Sequence, residues 1–368
     1  MTSRTKPPFR ADHVGSLLRP KTITDAFKKF NSGEVTAKEV TAIQDQAIKG
    51  VIALQESVGL QSITDGEFRR ASYWSTFVER VNGLDVTEAR FTFHDDHGQE
   101  QKFTAPIVKS KVSRTTPIAG DEFEFLKANT SNTPKTTIVS PPTMHMFRLD
   151  QTIEPGVYDS TQDYFADLAQ VYREEIKALA DAGSTYIQLD DVPIPMLSDP
   201  NVQARVKEDG LDPVQLMNDY VDLFNDCLRD RPDGVTIAVH MCRGNYKGKF
   251  LSEGGYETFA DKFFNDLNVD AFFLEYDSPR AGDFEPLKYV PKDKMVVLGL
   301  VSSKTPQMES QDDLRARIDE AAKFIDLDQL GLSPQCGFAS TVAGNPVTED
   351  DEKAKLAMIV EVADKVWG

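Results

Sequence analysis

The chain has 368 residues, 40% hydrophobic and 27% charged, the balance of an ordinary globular protein and long enough for one large barrel or two average domains. Its 59 acidic against 41 basic residues leave a formal charge of −18, which disfavours nucleic acid and anionic membrane as main partners because both need a cationic surface. No run of 18 apolar residues and no secretory signal of ordinary form is present. The three cysteines, Cys227, Cys242 and Cys336, make no disulfide framework and suit a reducing compartment, so a cytoplasmic location is expected.

In chain order, a short β-type run at Phe9–Ser16 is followed by an amphipathic helix over Thr36–Val58. Its opening, Thr36-Ala37-Lys38-Glu39, has the form of a capping box. A second β-type run falls at Gln61–Asp65. Between Arg70 and Lys135 no clean helical period is found. Arg90–Phe93 and Lys102–Val112 alternate around the turn-like His94–Gln101, which predicts a β-hairpin excursion over about residues 71–135, placed to lid whatever lies beyond strand two. Further runs follow at Thr136–Ser140, Thr185–Asp190, Val235–His240, Ala271–Glu275, Met295–Val301 and Gln329–Ser333. Helical patterns occupy Ser160–Ala182, which stops before Gly183, then Pro213–Arg229, with Asp212 as N-cap, then Gln311–Ile325 and Asp350–Val366. Eight strands with helices between most successive pairs predict a single (β/α)8 TIM barrel over residues 1–368.

The unusual polar residues gather at or just beyond the carboxyl ends of those strands. They are His13 and Ser16, Glu67, Thr143, Asp190 with Asp191, His240 with Cys242, Glu275, Ser302 to Lys304, and Cys336. Active sites of such barrels lie at that end, whereas solvated loops would scatter polar residues over both. In His240-Met241-Cys242 the two potential ligands are two residues apart on extended backbone, so their side chains point the same way. With Glu275 and Cys336 they make a nitrogen, oxygen and two-sulfur set suited to zinc. By spacing alone a buried cysteine reads more readily as a small hydrophobe; the shared barrel mouth brings the two readings level. His94-Asp95-Asp96-His97 reads as a solvated turn, and Cys227, inside a helix, as packing.

The phrase Ala11-Asp12-His13-Val14-Gly15-Ser16-Leu17-Leu18-Arg19-Pro20 then carries a resemblance. With Asp65-Gly66-Glu67-Phe68-Arg69, His240-Met241-Cys242 and Ser333-Pro334-Gln335-Cys336-Gly337-Phe338, in that order, the chain resembles the catalytic half of cobalamin-independent methionine synthase. It is most similar to the short, single-barrel members of that uroporphyrinogen decarboxylase/methionine synthase-like superfamily. The resemblance implies zinc held by His240, Cys242, Glu275 and Cys336. It implies a Gly15–Ser16 turn that meets an amino acid carboxylate, and Glu67 and Asp190 on its ammonium group. The implied reaction is methyl transfer to a thiol, homocysteine giving methionine.

Two departures concern the methyl donor. A chain of 368 residues is expected to have no room for the full enzyme's extra amino-terminal barrel, which helps bind polyglutamylated folate. After strand seven the family's Asp-x-His is replaced by Ser302-Ser303-Lys304-Thr305-Pro306, so Ser302 and Lys304 are expected to face the substrates instead. Phe147 aligns with the family's folate-stacking Trp. The expected donor is therefore not folate polyglutamate. Three alternatives are a zinc thiol alkyltransferase using another thiol or electrophile such as an epoxide, a porphyrinogen decarboxylase-like enzyme, and a non-catalytic zinc-binding barrel. The partners expected are a homocysteine-like thiol and a methyl donor; a homo-oligomer is compatible with the sequence, which does not specify one.

Overall fold

The computed structural model describes residues 4–368. Strands β1 (Ser62–Ile63), β4 (Thr133–Pro134), β5 (Thr136–Val139), β6 (Tyr186–Asp191), β7 (Thr236–Met241), β8 (Ala271–Glu275), β9 (Met295–Val301) and β10 (Leu330–Pro334) build the barrel wall, while β2 (Val81–Glu88) and β3 (Thr104–Arg114) form an antiparallel hairpin outside it. Strands β5 to β10 lie side by side in parallel, in sequence order. At one edge β4 runs into β5 and pairs with β1. At the other edge Ala11 bridges Leu332 of β10. The gap between Ala11 and β1 is spanned by side chains: Ser62 Oγ donates to Asp12 Oδ1 (2.6 Å) and Thr64 Oγ1 donates to the Gly15 carbonyl (2.6 Å). The strand order and direction are those of a TIM barrel.

Alternation along the strands sorts the two faces. Ile187, Leu189, Ile237, Val239, Phe272, Leu274, Val296 and Leu298 join the large core beneath the helices. Tyr186, Ala238, Ala271, Phe273, Met295 and Val297 pack in a separate cluster, the floor of the barrel interior. An ion pair shares this floor: Lys135 Nζ lies 3.0 Å from Asp12 Oδ1, neither side chain is exposed, and the ammonium stands over the rings of Phe273 and Tyr186.

The long helices form where their caps predict. Ala37–Ser57 starts on a complete Thr36/Glu39 capping box, Thr161–Asp181 on Ser160, and Pro213–Leu228 on Asp212 with proline in its first turn. Three expectations need correction. Phe9–Ser16 is not a ladder strand, because Asp12 and His13 spend their polar groups on Ser62 and Gly15 turns the chain at φ +129°. The first hairpin arm is Val81–Glu88, upstream of Arg90–Phe93, which contributes only a bridge from Phe93 to Gln101. The stretch between Arg70 and Lys135 also holds two helices, Ser75–Arg80 and Gly120–Asn129. The first is too short to show a period, and Asp121-Glu122-Phe123-Glu124-Phe125 alternates like a strand. No helix among the described residues is long and apolar enough to cross a membrane.

Candidate active site

A cavity of about 510 Å³ opens at the carboxyl ends of the barrel strands, lined by Ser16, Glu67, Asp190, His240, Cys242 and Cys336 among others. The hairpin roofs one side of it through Val86, Phe103 and Thr104. Its tip is tied across the mouth, where His94 bridges Phe250 in the loop that follows Cys242, and Asp95 pairs with Lys249. His94–His97 is therefore a turn, organised by Asp95 accepting from the backbone of His97 and Gln99, as expected.

His240 and Cys242 leave β7 on one face, and Cys336 follows β10. One donor atom from each lies within 4.8 Å of the other two, and all three residues are buried. The sulfurs are 3.8 Å apart. His240 Nδ1 faces Asp190 Oδ1 at 3.1 Å, and its Nε2 lies 3.3 Å from the Gln335 carbonyl, beside Cys336. Burial disfavours the imidazolium, but Asp190 and Cys336 outweigh it and hold His240 up at about 10. Cys336 moves the other way, held well below the usual thiol range by Cys242 and His240 against the effect of burial. The three donors thus sit as a proton-rich imidazolium–thiolate pair with a second thiol, a set in which a divalent cation can replace the protons. One nitrogen and two sulfurs leave a fourth tetrahedral position to be filled.

Glu275 lies at the end of β8, fully buried, but outside this three-residue group. Its Oε2 accepts from the backbone N–H of Arg243 (2.7 Å), and its Oε1 lies 3.1 Å from Arg280 and 3.3 Å from Lys304. Against burial, these three cationic residues hold the carboxyl at about 2. Lys304 is thus occupied with Glu275 and does not line the cavity. Nor does Ser302, whose backbone N–H is taken by Glu309 (2.7 Å) and whose hydroxyl accepts from the Lys304 N–H (3.3 Å).

The opposite wall carries two carboxylates. Glu67 is held in the left-handed region at φ +60°, a conformation that non-glycine residues keep only where surroundings impose it. Those surroundings are Arg19 and the Arg70 N–H, both bonded to its carbonyl. Its Oε1 accepts from Thr137 (2.9 Å), while Oε2 is buried without a partner. Burial raises its pKa to about 7, partly offset by Arg70 and reinforced by Asp190. Gly15 sits below, and a Cβ there would lie 2.5 Å from Thr137 Cγ2, so the turn leading to Ser16 needs glycine. Gln188 Nε2 donates to both the Val14 carbonyl and Asp190 Oδ1, which ties this turn to the acid.

Sequence reasoning missed the other wall. Tyr73, Phe93, Phe103, Asn245 and Tyr246 line the cavity together with Phe147. Their one legible signal is Asn245-Tyr246, three and four residues after Cys242. His145 and Cys227 belong elsewhere: His145 bonds the Tyr220 hydroxyl (2.8 Å), and Cys227 packs in the helix–sheet core.

A TIM barrel with titratable and thiol side chains gathered at the carboxyl ends of its strands defines an α/β-barrel enzyme. The catalytic-domain model of the cobalamin-independent synthases matches residues 9–365, and the chain belongs to that family of methyltransferases. The Bacillus subtilis protein YxjH is 41% identical, over 98% of this chain and 96% of its own length. A Listeria monocytogenes structure assigned to the vitamin-B12-independent methionine synthases is 35% identical, covers 99% of this chain and 100% of that one, and has a TM-score of 0.78. A B12-independent methionine synthase from Shewanella sp. W3-18-1, solved with selenomethionine, shares the fold at a TM-score of 0.74 and 20% identity, covering 97% of each chain.

Proposed function

We propose that this methyltransferase acts on the thiol of homocysteine or a close analogue, at a zinc ion held by His240, Cys242 and Cys336, with a methyl donor other than folate polyglutamate. The observation that carries the reading is the pairing in one cavity of a soft three-donor group with two carboxylates, one of which has an unsatisfied buried oxygen. Zinc bound by such donors would lower the pKa of a coordinated thiol so that it is a thiolate at neutral pH.

The chain's own residues do the rest. Glu67 Oε2 and Asp190 receive the ammonium group, and the turn at Gly15 and Ser16 receives the carboxylate. These contacts aim the substrate sulfur toward the three donors, which orients the thiol for in-line attack. Two carboxylates favour a cationic amino acid over a sulfonate thiol, which they would repel. Glu275 is the expected fourth ligand; held instead by Arg280 and Lys304, as here, it would leave that position to the substrate thiol. The cavity's aromatic side, and a lining that holds no cluster of lysines or arginines among the described residues, support a donor without a polyglutamate tail.

The test is metal content of the reduced protein, followed by cobalt substitution. One metal per chain and a sulfur-to-cobalt charge-transfer change with homocysteine, but none with coenzyme M, is expected. A cobalt spectrum indifferent to every thiol would overturn the reading.

A further inference from the structure

The side of the cavity away from Glu67 and Asp190 is an aromatic box. Phe93 stands edge-on to Phe103 with centroids 4.9 Å apart and lies 5.5 Å from Tyr246, and Phe103 meets Phe147 at 5.1 Å. Phe93 and Phe103 come from the hairpin region, Phe147 from the loop after β5, and Tyr246 from the loop after β7. Three distant segments thus converge on one apolar compartment, and the bridge from His94 to Phe250 holds it shut on the outer side.

Three polar groups interrupt this apolar lining: Ser72 Oγ and Asn245 Oδ1, which have no protein partner, and the Tyr73 hydroxyl, which has only the Thr143 side chain beside it as a donor to its oxygen and keeps its own O–H to donate. Each is built in place. Ser72 bridges Thr341, the Tyr73 N–H donates to the Ser340 carbonyl (2.9 Å), and Asn245 Nδ2 donates to Gly337 O (3.0 Å) and Ser303 Oγ (3.3 Å). All three are therefore fastened to the segment that carries or follows Cys336. Buried polar atoms left unpaired are costly, and a cavity that keeps them aims them at a ligand. The only lysine or arginine lining the cavity among the described residues is Lys102, whose ammonium pairs with Glu88 at 2.6 Å. Glu79 is pushed toward its neutral form by burial.

We infer that this compartment is the subsite of the second substrate, an uncharged and largely apolar methyl donor, and that the Tyr73 hydroxyl hydrogen-bonds the atom that leaves the methyl carbon. A phenol hydroxyl is protonated at neutral pH, so the Tyr73 O–H acts as a donor. In the step, the thiolate electron pair forms the new S–C bond. The bond from carbon to the leaving atom breaks, and its pair goes to that atom. The proton shed by the thiol on binding balances the one the leaving group finally takes from water. Asn245 Oδ1 accepts from a donor group elsewhere on the same molecule. This inference rests on the thiol-methyltransferase reading for the acceptor, which the cobalt experiment tests separately.

The experiment uses the metal-loaded full chain, homocysteine, and a series of methyl benzenesulfonates with 4-nitro, 4-chloro, 4-methyl and 4-methoxy substituents. The wild type is expected to methylate homocysteine with a shallow dependence on leaving-group basicity. Tyr73→Phe should steepen that dependence and lower kcat for the 4-methoxy ester about ten-fold, the worth of one hydrogen bond, with metal content and the KM for homocysteine unchanged. Tyr246→Ala, a half-buried residue whose loss leaves the barrel intact, should raise the KM for the esters alone. An unchanged slope in Tyr73→Phe would overturn its role. Faster turnover with polyglutamylated methyltetrahydrofolate or with the cation S-methylmethionine than with any ester would overturn the uncharged donor.

Discussion

His240 Nδ1 lies 3.1 Å from Asp190 Oδ1, and the two residues are register partners on adjacent parallel strands. One carboxylate therefore orients the imidazole of the three-donor group and faces the cavity where an ammonium group would bind. With Nδ1 engaged, Nε2 is the nitrogen left for a metal. A change at Asp190 should be felt on both halves of the site.

Asp190→Asn is expected to weaken metal binding roughly 10–100-fold, the usual cost of losing an outer-shell partner of a ligating histidine. It should also raise the KM for homocysteine. Competition with a chromophoric chelator measures the first effect and steady-state kinetics the second. Intact metal affinity would separate Asp190 from the metal centre.

A carboxylate holds an ammonium group only when ionised, and burial holds the Glu67 carboxyl up at about 7. Homocysteine affinity should rise more steeply with pH below about 7 than above it, where only loss of the thiol proton still favours binding, while Glu67→Gln should bind weakly and show the shallower rise alone. Isothermal titration between pH 5.5 and 8.5 reads both curves.

Glu352 is buried, accepts from the Leu18 N–H at 2.8 Å, and is raised by burial from 4.5 to about 8. Because the folded pKa exceeds the unfolded one, the protein loses stability as pH climbs from about 4.5 to about 8, and the loss is complete above that. The size is on the order of 5 kcal/mol. Glu352→Gln keeps an oxygen for Leu18 and should abolish that slope. Urea midpoints measured across this range compare the two proteins.

Gly15→Ala forces a Cβ to within 2.5 Å of Thr137 Cγ2 at a backbone φ of +129°. A loss of about 2 kcal/mol or more is expected, together with weakened substrate binding, because the turn to Ser16 must shift. Thermal unfolding and homocysteine titration check the pair of effects. A variant of wild-type stability would show that Thr137 moves aside freely.

Much of this was legible before any coordinates. Residues 271–275 and 295–301 read as strands because both faces of a barrel strand are buried, which leaves short apolar runs between polar loops. His240 and Cys242 read as neighbours because a strand repeats every two residues. Gly120–Asn129 did not read as a helix, since its alternating acids and aromatics mimic a strand until Phe123 and Leu126 find a surface to cover. Glu275 shows the same limit in the site. Its place at a strand end is visible in the sequence, but the direction of its carboxylate depends on Arg280, in the loop that follows it, and on Lys304, which approaches from the loop after β9.

By itself the order of residues determined the alternation of strands and helices, the caps, and the polar residues at one end of the barrel. Those follow from local periodicity and from backbone hydrogen bonding, which depend on near neighbours. Only the tertiary structure decided which loop side chains meet. Tyr73 faces the cavity because its N–H is tied to Ser340, and the aromatic box exists because a hairpin is fastened across the mouth at His94 and Phe250. Loop side chains take their direction from such long-range contacts, and no local period in the sequence records them.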